Sequence, residues 1–278
     1  MGTKIDEIIV VCNTHWDREF RRSFERTRKD LLTMMDNLLE VLDDDEFKSF
    51  TLDGHSILIE DYLELRPERR KDIEKHLASG KLIAGPYYTL AEEFSVMHES
   101  LVRNLIFGRK TVEKYKGKTG TVAYTPSSWG QTGQLPQILK DFGLDKMMFY
   151  RGISHDETKA EYLWEAPDGT RVFASRFAIY ARYNWYYLVY RKVIRNKIFD
   201  KTYEWGKYHE TPYRFSDGQA GHDPSFYVAN PDDQADFSHL GDAVKNMLKT
   251  ESGHFTSNTF LAMHGHDISV PHPRDAQM

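Results

Sequence analysis

The sequence predicts an α/β fold, a (β/α) barrel of about seven mostly parallel strands with outer helices. Three observations carry that expectation. Short apolar strand patterns alternate with helical periodicity from residue 8 to residue 150. Glycine follows two of the helical stretches, at Gly80 and Gly143, where a left-handed residue ends a helix cheaply. Polar residues of chemically useful types stand immediately after the strands, where the βα loops of a barrel converge. A doubly wound open sheet is the alternative, but the GxGxxG signature of a dinucleotide site is absent.

In chain order, Glu7-Ile-Ile-Val-Val-Cys-Asn13 reads as a buried strand. Phe20, Phe24, Leu31, Leu32, Met35, Leu38, Leu39 and Leu42 then recur at helical spacing. Phe50 to Leu52 is a second strand, ended by Asp53-Gly54. Ile57 to Leu65 is a helix stopped before Pro67, Glu68 to Ser79 is another, and Lys81 to Gly85 is the third strand. Helix, strand, helix and strand follow at 100–115, 121–124, 133–142 and 147–150. Past residue 155 the rhythm changes. Glu161 to Phe173 is a hairpin turning at Ala166-Pro-Asp-Gly169. Residues 203–235 are a loop-rich insertion, Asp236 to Lys249 is a helix, and Phe260 to Met263 is the last strand. The whole chain, 1–278, is expected to be one domain.

The formal charge of −5, from 42 acids and 37 bases, argues against a nucleic-acid partner. The cluster from Arg18 to Lys29 is interleaved with acids and aromatics and reads as the solvated side of a helix. A single cysteine, Cys12, excludes an intramolecular disulfide and a cysteine-based zinc cage. No signal peptide is visible, and no apolar run approaches the roughly 20 residues that cross a bilayer. These features lead us to expect a cytoplasmic protein without a membrane partner; its oligomeric state is left open.

The strand ends hold the chemistry. His15 and Asp17 follow the first strand, Asp53 and His55 the second, and Tyr87 to Glu93 the third. Ser127 to Gln131, Arg151, and His264 to Asp267 follow later ones. An imidazole and a carboxylate two residues apart suit a zinc ion, and they equally suit a polar pair bonded to nearby backbone.

The run Thr14-His-Trp-Asp-Arg-Glu-Phe20 resembles the HWDREW motif of bacterial α-mannosidases of glycoside hydrolase family 38. Leu52 to Pro67 is similar to their LDGQ…DYLE segment. Gly80 to Tyr88, Glu99 to Gly108, Gly130 to Ile138 and Leu261 to Asp267 resemble further blocks, in order along the chain. The resemblance implies the N-terminal catalytic barrel of a retaining α-mannosidase. It implies one zinc ion held partly by His15 and Asp17, with Asp267 as general acid/base. It also makes Trp16, Tyr87, Tyr88 and Trp129 candidates for sugar contact and Arg151 for substrate binding. The implied partner is a mannose-containing oligosaccharide or glycoside.

Two departures stand out. The family pattern Pro-Asp-x-Phe-Gly reads Pro126-Ser-Ser-Trp-Gly130 here, so Ser127 occupies the nucleophile's position. Serine is a poor zinc ligand and a weak nucleophile without a base; Glu92 and Glu93 are the nearest strand-end carboxylates. The family's last zinc-ligating histidine lies well past the acid/base segment, whereas this chain ends eleven residues after Asp267. The C-terminal domains of the family are therefore expected to be absent from it. Impaired mannoside hydrolysis is the leading expectation, and a catalytically weak carbohydrate-binding domain is the alternative.

Overall fold

The computed structural model describes residues 4–20, 23–126, 128–179, 182–195, 236–272 and 274–278. Its elements are β1 (Glu7–Asn13), α1 (Phe24–Leu42), β2 (Phe50–Thr51), α2 (Ile57–Leu65), α3 (Arg70–Ser79) and β3 (Leu82–Ile83). They continue as α4 (His98–Lys114), β4 (Ala123–Thr125), α5 (Leu135–Asp141), β5 (Lys146–Phe149), β6 (Glu161–Glu165) and β7 (Arg171–Arg176). A π-helical turn at Tyr186–Tyr190 runs into α6 (Arg191–Arg195), followed by α7 (Leu240–Glu251) and β8 (Thr259–His264).

The strands form two four-stranded sheets, ordered β3-β2-β1-β8 and β4-β5-β7-β6. All pairings are parallel except β6 on β7. The alternation of strand and helix is thus as expected, but the count and closure differ. Among the described residues there are eight strands, and no ladder joins the two sheets into a ring. One cause is visible in the topology: the hairpin strand β6 takes the edge of β7 that a neighbouring parallel strand would need.

Packing follows the helical periodicity of the sequence. Leu31, Met35, Leu38, Leu39 and Leu42 of α1 are buried against β2, α2 and α3 in one cluster. Each such side chain contributes roughly 1.5–3 kcal/mol of burial. A second cluster joins Tyr124 of β4 to Phe260, Ala262 and Met263 of β8 and to Met247 of α7. Among the described residues, side-chain packing rather than a strand ladder therefore connects the two sheets. A third cluster fills the space between β4, β5, β7 and α5. No described helix is long and apolar enough to cross a membrane.

Two local readings need correction. The basic cluster is tied down by α2: Arg18 makes paired bonds to Asp61 at 2.6 and 2.9 Å, and Arg28 meets Glu64 at 2.5 Å. Ion pairing with Asp61 and Glu64, not solvation alone, keeps these charges in place. His254, one of four histidines in the poorly patterned stretch for which sequence alone gives solvent exposure as the default, is buried with Nε2 2.9 Å from the Arg176 carbonyl. Residues 203–235, with His209 and His222, lie outside the described residues.

The contact between β1 and β8 is tight at its end. A Cβ on Gly265 would sit 1.9 Å from the Asn13 carbonyl oxygen. Gly265→Ala should therefore destabilise the protein by about 1–3 kcal/mol, read as a lowered thermal midpoint. An unchanged midpoint would mean that this approach is looser than the backbone indicates.

Candidate functional site

The site starts where β1 and β2 end. His15 is buried, with Nδ1 3.1 Å from Asp53 Oδ2 and Nε2 3.2 Å from Asp17 Oδ1. Asp53 is fully buried and its other oxygen accepts from Asn13 Nδ2 at 2.6 Å. The Asp53-Gly54 turn explains how that carboxylate is aimed. Asp53 has φ +51° and Gly54 has φ +87°, and a Cβ on Gly54 would lie 2.6 Å from the Tyr124 carbonyl oxygen. Only glycine fits there without displacing β4. Burial alone would keep His15 neutral, but its bonds to Asp17 and Asp53 push it up to about 9. An imidazole between two carboxylates is an environment that favours positive charge. His55 is buried nearby and held neutral, down to about 3, chiefly by burial and then by His15. Its Nε2 finds no hydrogen-bond partner among the described residues.

Asp267 lies beside His15. The two residues form an isolated parallel bridge beyond the ends of β1 and β8. The His15 amide donates to the His266 carbonyl at 3.2 Å, and Ile268 donates to the His15 carbonyl at 2.7 Å. Asp267 Oδ1 accepts from Arg182 Nη2 and, at 3.2 Å, from the Tyr183 hydroxyl. Burial would raise this carboxyl; the fields of His266, Arg182 and His15 and the Tyr183 bond outweigh it and hold it well below the usual range. As placed here, Asp267 is a carboxylate and not yet a proton donor. Arg182 also donates to the Pro126 carbonyl at 3.4 Å, so one guanidinium bridges the ends of β4 and β8.

The structure brings His15, Asp17 and Asp267 to one end of the strands. Ser127 lies outside the described residues, between Pro126 and Ser128. Of the aromatic candidates, Trp16 is packed in the core instead of presenting its ring at the rim. Tyr87 is buried, and the Tyr88 hydroxyl donates to Glu60 Oε2 on α2 at 2.9 Å. Trp129 is 75% exposed, and Arg151 stacks over it at 4.1 Å. Glu92 and Glu93 bind backbone: they accept from the amides of Trp129 at 2.9 Å and Thr132 at 2.7 Å.

The histidines near Asp267 are accounted for by packing and local bonds. His266 lies among Tyr183, Tyr186 and Tyr187, and burial pulls it down to about 4. His264 meets buried Asp275 at 2.9 Å. Among the described residues no group of three histidine, cysteine or carboxylate side chains is arranged to hold a metal ion.

Sequence reasoning placed Asp53 at a strand end without giving it a role, and it missed Arg182 and Tyr183. The Asp-Gly pair was the available signal for the first. Arg182 and Tyr183 precede an aromatic run with no clear period, so no pattern marked them.

A polar site at the C-terminal ends of parallel strands, with two carboxylates around one histidine, belongs to the class of α/β folds that build sites at strand ends. Residues 6–278 match the glycosyl hydrolases family 38 N-terminal domain, and the chain belongs to that family. A putative mannosylglycerate hydrolase of Halalkalibacterium halodurans is 37% identical over 190 residues, covering 64% of this chain and 21% of that protein. The crystal structure of an α-mannosidase from Enterococcus faecalis superposes with a TM-score of 0.73 at 26% identity, over 98% of this chain and 26% of that one. A 4-α-glucanotransferase from Thermococcus litoralis shares the fold, with a TM-score of 0.57 at 10% identity, over 95% of this chain and 34% of that one. The chain thus spans about a fifth of the curated relative and a quarter of the mannosidase.

Removing Arg182 would leave the partly buried Asp267 carboxylate without its cation. Arg182→Gln should lower stability by about 1–3 kcal/mol. In a double-mutant cycle, adding Asp267→Asn should recover part of that loss. Additive losses in chemical denaturation would mean that the two groups are not coupled.

Proposed function

We propose that this chain is the catalytic N-terminal part of a retaining, zinc-assisted α-mannoside hydrolase whose turnover is impaired by Ser127. The observation that carries the reading is the pairing of His15 with Asp267 at one end of adjacent parallel strands. It sets a potential metal ligand beside a carboxyl group suited to acid/base work. The donors fit zinc in part: His15 Nε2 and Asp17 Oδ1 face each other, and Asp53 on Nδ1 fixes the tautomer that leaves Nε2 as a ligand. The unpartnered Nε2 of His55 adds a buried polar atom near the pair.

When bound, zinc would supply a Lewis acid for two adjacent mannose hydroxyls. The chain's own residues would do the rest. Asp267 would move a proton at the glycosidic oxygen, and Arg182 and Tyr183 hold that carboxyl in place. Because their bonds favour the carboxylate, substrate must displace Arg182 before Asp267 can donate a proton. By the family motif, position 127 would supply the nucleophile, and a serine there leaves the covalent step without a carboxylate. The single cysteine fits a cytoplasmic protein, and the family points to a mannose-containing glycoside as the substrate. The barrel of the resemblance is part of this proposal, with the two sheets as its halves.

A second reading, a carbohydrate-binding domain without turnover, is favoured by Ser127 and by the Arg182–Asp267 pair. Turnover of an aryl α-mannoside separates the two. The unmodified protein should turn over slowly and faster with added zinc, and Ser127→Asp should raise the rate. In that background Asp267→Asn should lower it by about 100-fold or more for poor leaving groups, which depend on protonation. Robust activity in the unmodified protein, insensitive to Asp267→Asn, would assign the chemistry to other groups. Sugar binding without turnover even in Ser127→Asp would support the second reading.

Zinc affinity gives an independent check. His15 and Asp17 fall short of the three or four ligands usual for zinc. Calorimetry should therefore show binding weaker than about 1 μM, lost in His15→Ala and tightened in Ser127→Asp. Sub-micromolar binding by the unmodified protein would reveal a further ligand.

A further inference from the structure

We infer that the mannoside this site takes carries a carboxylate on its aglycone, close to the glycosidic oxygen, and that Arg182 and Arg151 receive it. The inference rests on the proposal that Asp267 serves the glycosidic oxygen of a mannoside. Without ligand, Asp267 Oδ1 accepts from Arg182 and from the Tyr183 hydroxyl. A glycosidic oxygen that meets this carboxyl group takes the place of Arg182, which then loses its anion. Little else satisfies the guanidinium. Its side chain is 12% exposed, and a neutral contact, the Pro126 carbonyl, lies 3.4 Å away. Tyr183, buried beneath it, holds the guanidinium 4.6 Å from the centre of its ring. Leaving a mostly buried cation without an anion is strongly unfavourable. A carboxylate on the aglycone replaces the lost partner as the exchange occurs, whereas a neutral aglycone does not.

A second arginine stands beside the first. Arg182 reaches the end of β4 at Pro126, and Arg151 follows the end of β5, the strand paired with β4. Burial, then the field of Arg182, holds Arg151 below its ordinary value, against the fields of Asp267, Tyr150 and Glu92. Its guanidinium lies over the exposed ring of Trp129, on the open side of the rim. The backbone that carries it is fixed. Gln131 Nε2 donates to the Arg151 carbonyl at 3.1 Å, and a Cβ on Gly152, at φ +117°, would lie 2.2 Å from Gln131 Oε1. The other rim carboxylates are engaged elsewhere: Asp17 and Asp53 with His15, Glu92 and Glu93 with the amides of Trp129 and Thr132.

Planar guanidiniums bind a carboxylate through charge-assisted bonds, each roughly twice as strong as a neutral one. Because Arg182 and Asp267 touch, the carboxylate and the glycosidic oxygen must be near neighbours in the substrate. An anion at the end of a long spacer does not meet that requirement.

Calorimetry with zinc in excess reads binding, not turnover, for three ligands: methyl α-mannoside, carboxymethyl α-mannoside, and an α-mannoside with its carboxylate at the end of a long alkyl chain. The carboxymethyl compound should bind about tenfold tighter than the methyl one, and the long-chain compound should show no such preference. Arg151→Gln and Arg182→Gln should each cut the preference to about threefold or less. Equal binding of the methyl and carboxymethyl compounds would overturn the inference. So would a preference shared by the long-chain compound, or one that survives either substitution. If Arg182→Gln does not fold, Arg151→Gln decides alone. Glycolate, added without zinc or sugar, keeps this inference distinct from the mannoside reading. Should no mannoside bind while glycolate binds and is lost in Arg151→Gln, the mannoside reading fails and the carboxylate site stands. If nothing binds, both fail.

Discussion

The parallel pairing of β1 with β8 is the constraint on which the site depends. It joins segments about 250 residues apart, from Glu7 opposite Thr259 to Cys12 opposite His264. The pairing then continues one step past the strands, through backbone bonds to both sides of His15. That last step sets His15 against Asp267. Gly265 is what permits it, because any side chain there would meet the Asn13 carbonyl. Register matters here for a plain reason: a slip of one residue in either strand would turn that strand's candidate side chain to the other face.

Around that pairing the charges are distributed in two groups. Asp17 and Asp53 flank His15, while Arg182 and Tyr183 hold Asp267. His15 and Asp53 are buried while Asp17 and Asp267 keep about a third of their side chains exposed, so loss of a partner costs most at the His15–Asp53 pair. The arrangement without ligand is stable because its own cations satisfy its carboxylates. Ligand binding would have to replace some of these contacts, which links binding to a rearrangement of Arg182.

Much of the fold was legible because local signals agreed. Leu31, Met35, Leu38 and Leu42 marked α1 by spacing, Gly80 marked the end of α3 with φ +79°, and Ala166 to Gly169 marked the turn between β6 and β7. What the sequence did not reveal was which strands pair. The placement of β7 between β5 and β6 and the division into two sheets are long-range choices that leave no periodic trace. The site divided in the same way. His15, Asp17 and Asp267 were legible as short motifs at strand ends. Arg182 was not, because its role comes from reaching across to Pro126 and Asp267. Trp16, a candidate for sugar contact from its motif, packs in the core cluster, a placement that its position beside His15 and Asp17 did not signal.

His15, Asp17 and Asp267 are proposed to form one strand-end site able to take a metal ion. Anomalous diffraction from zinc-soaked crystals of the Ser127→Asp protein tests it most directly. A zinc peak is expected about 2.0–2.2 Å from His15 Nε2 and an Asp17 oxygen, on the same rim as Asp267. A peak on the His264–Asp275 pair, with none at His15, would contradict it.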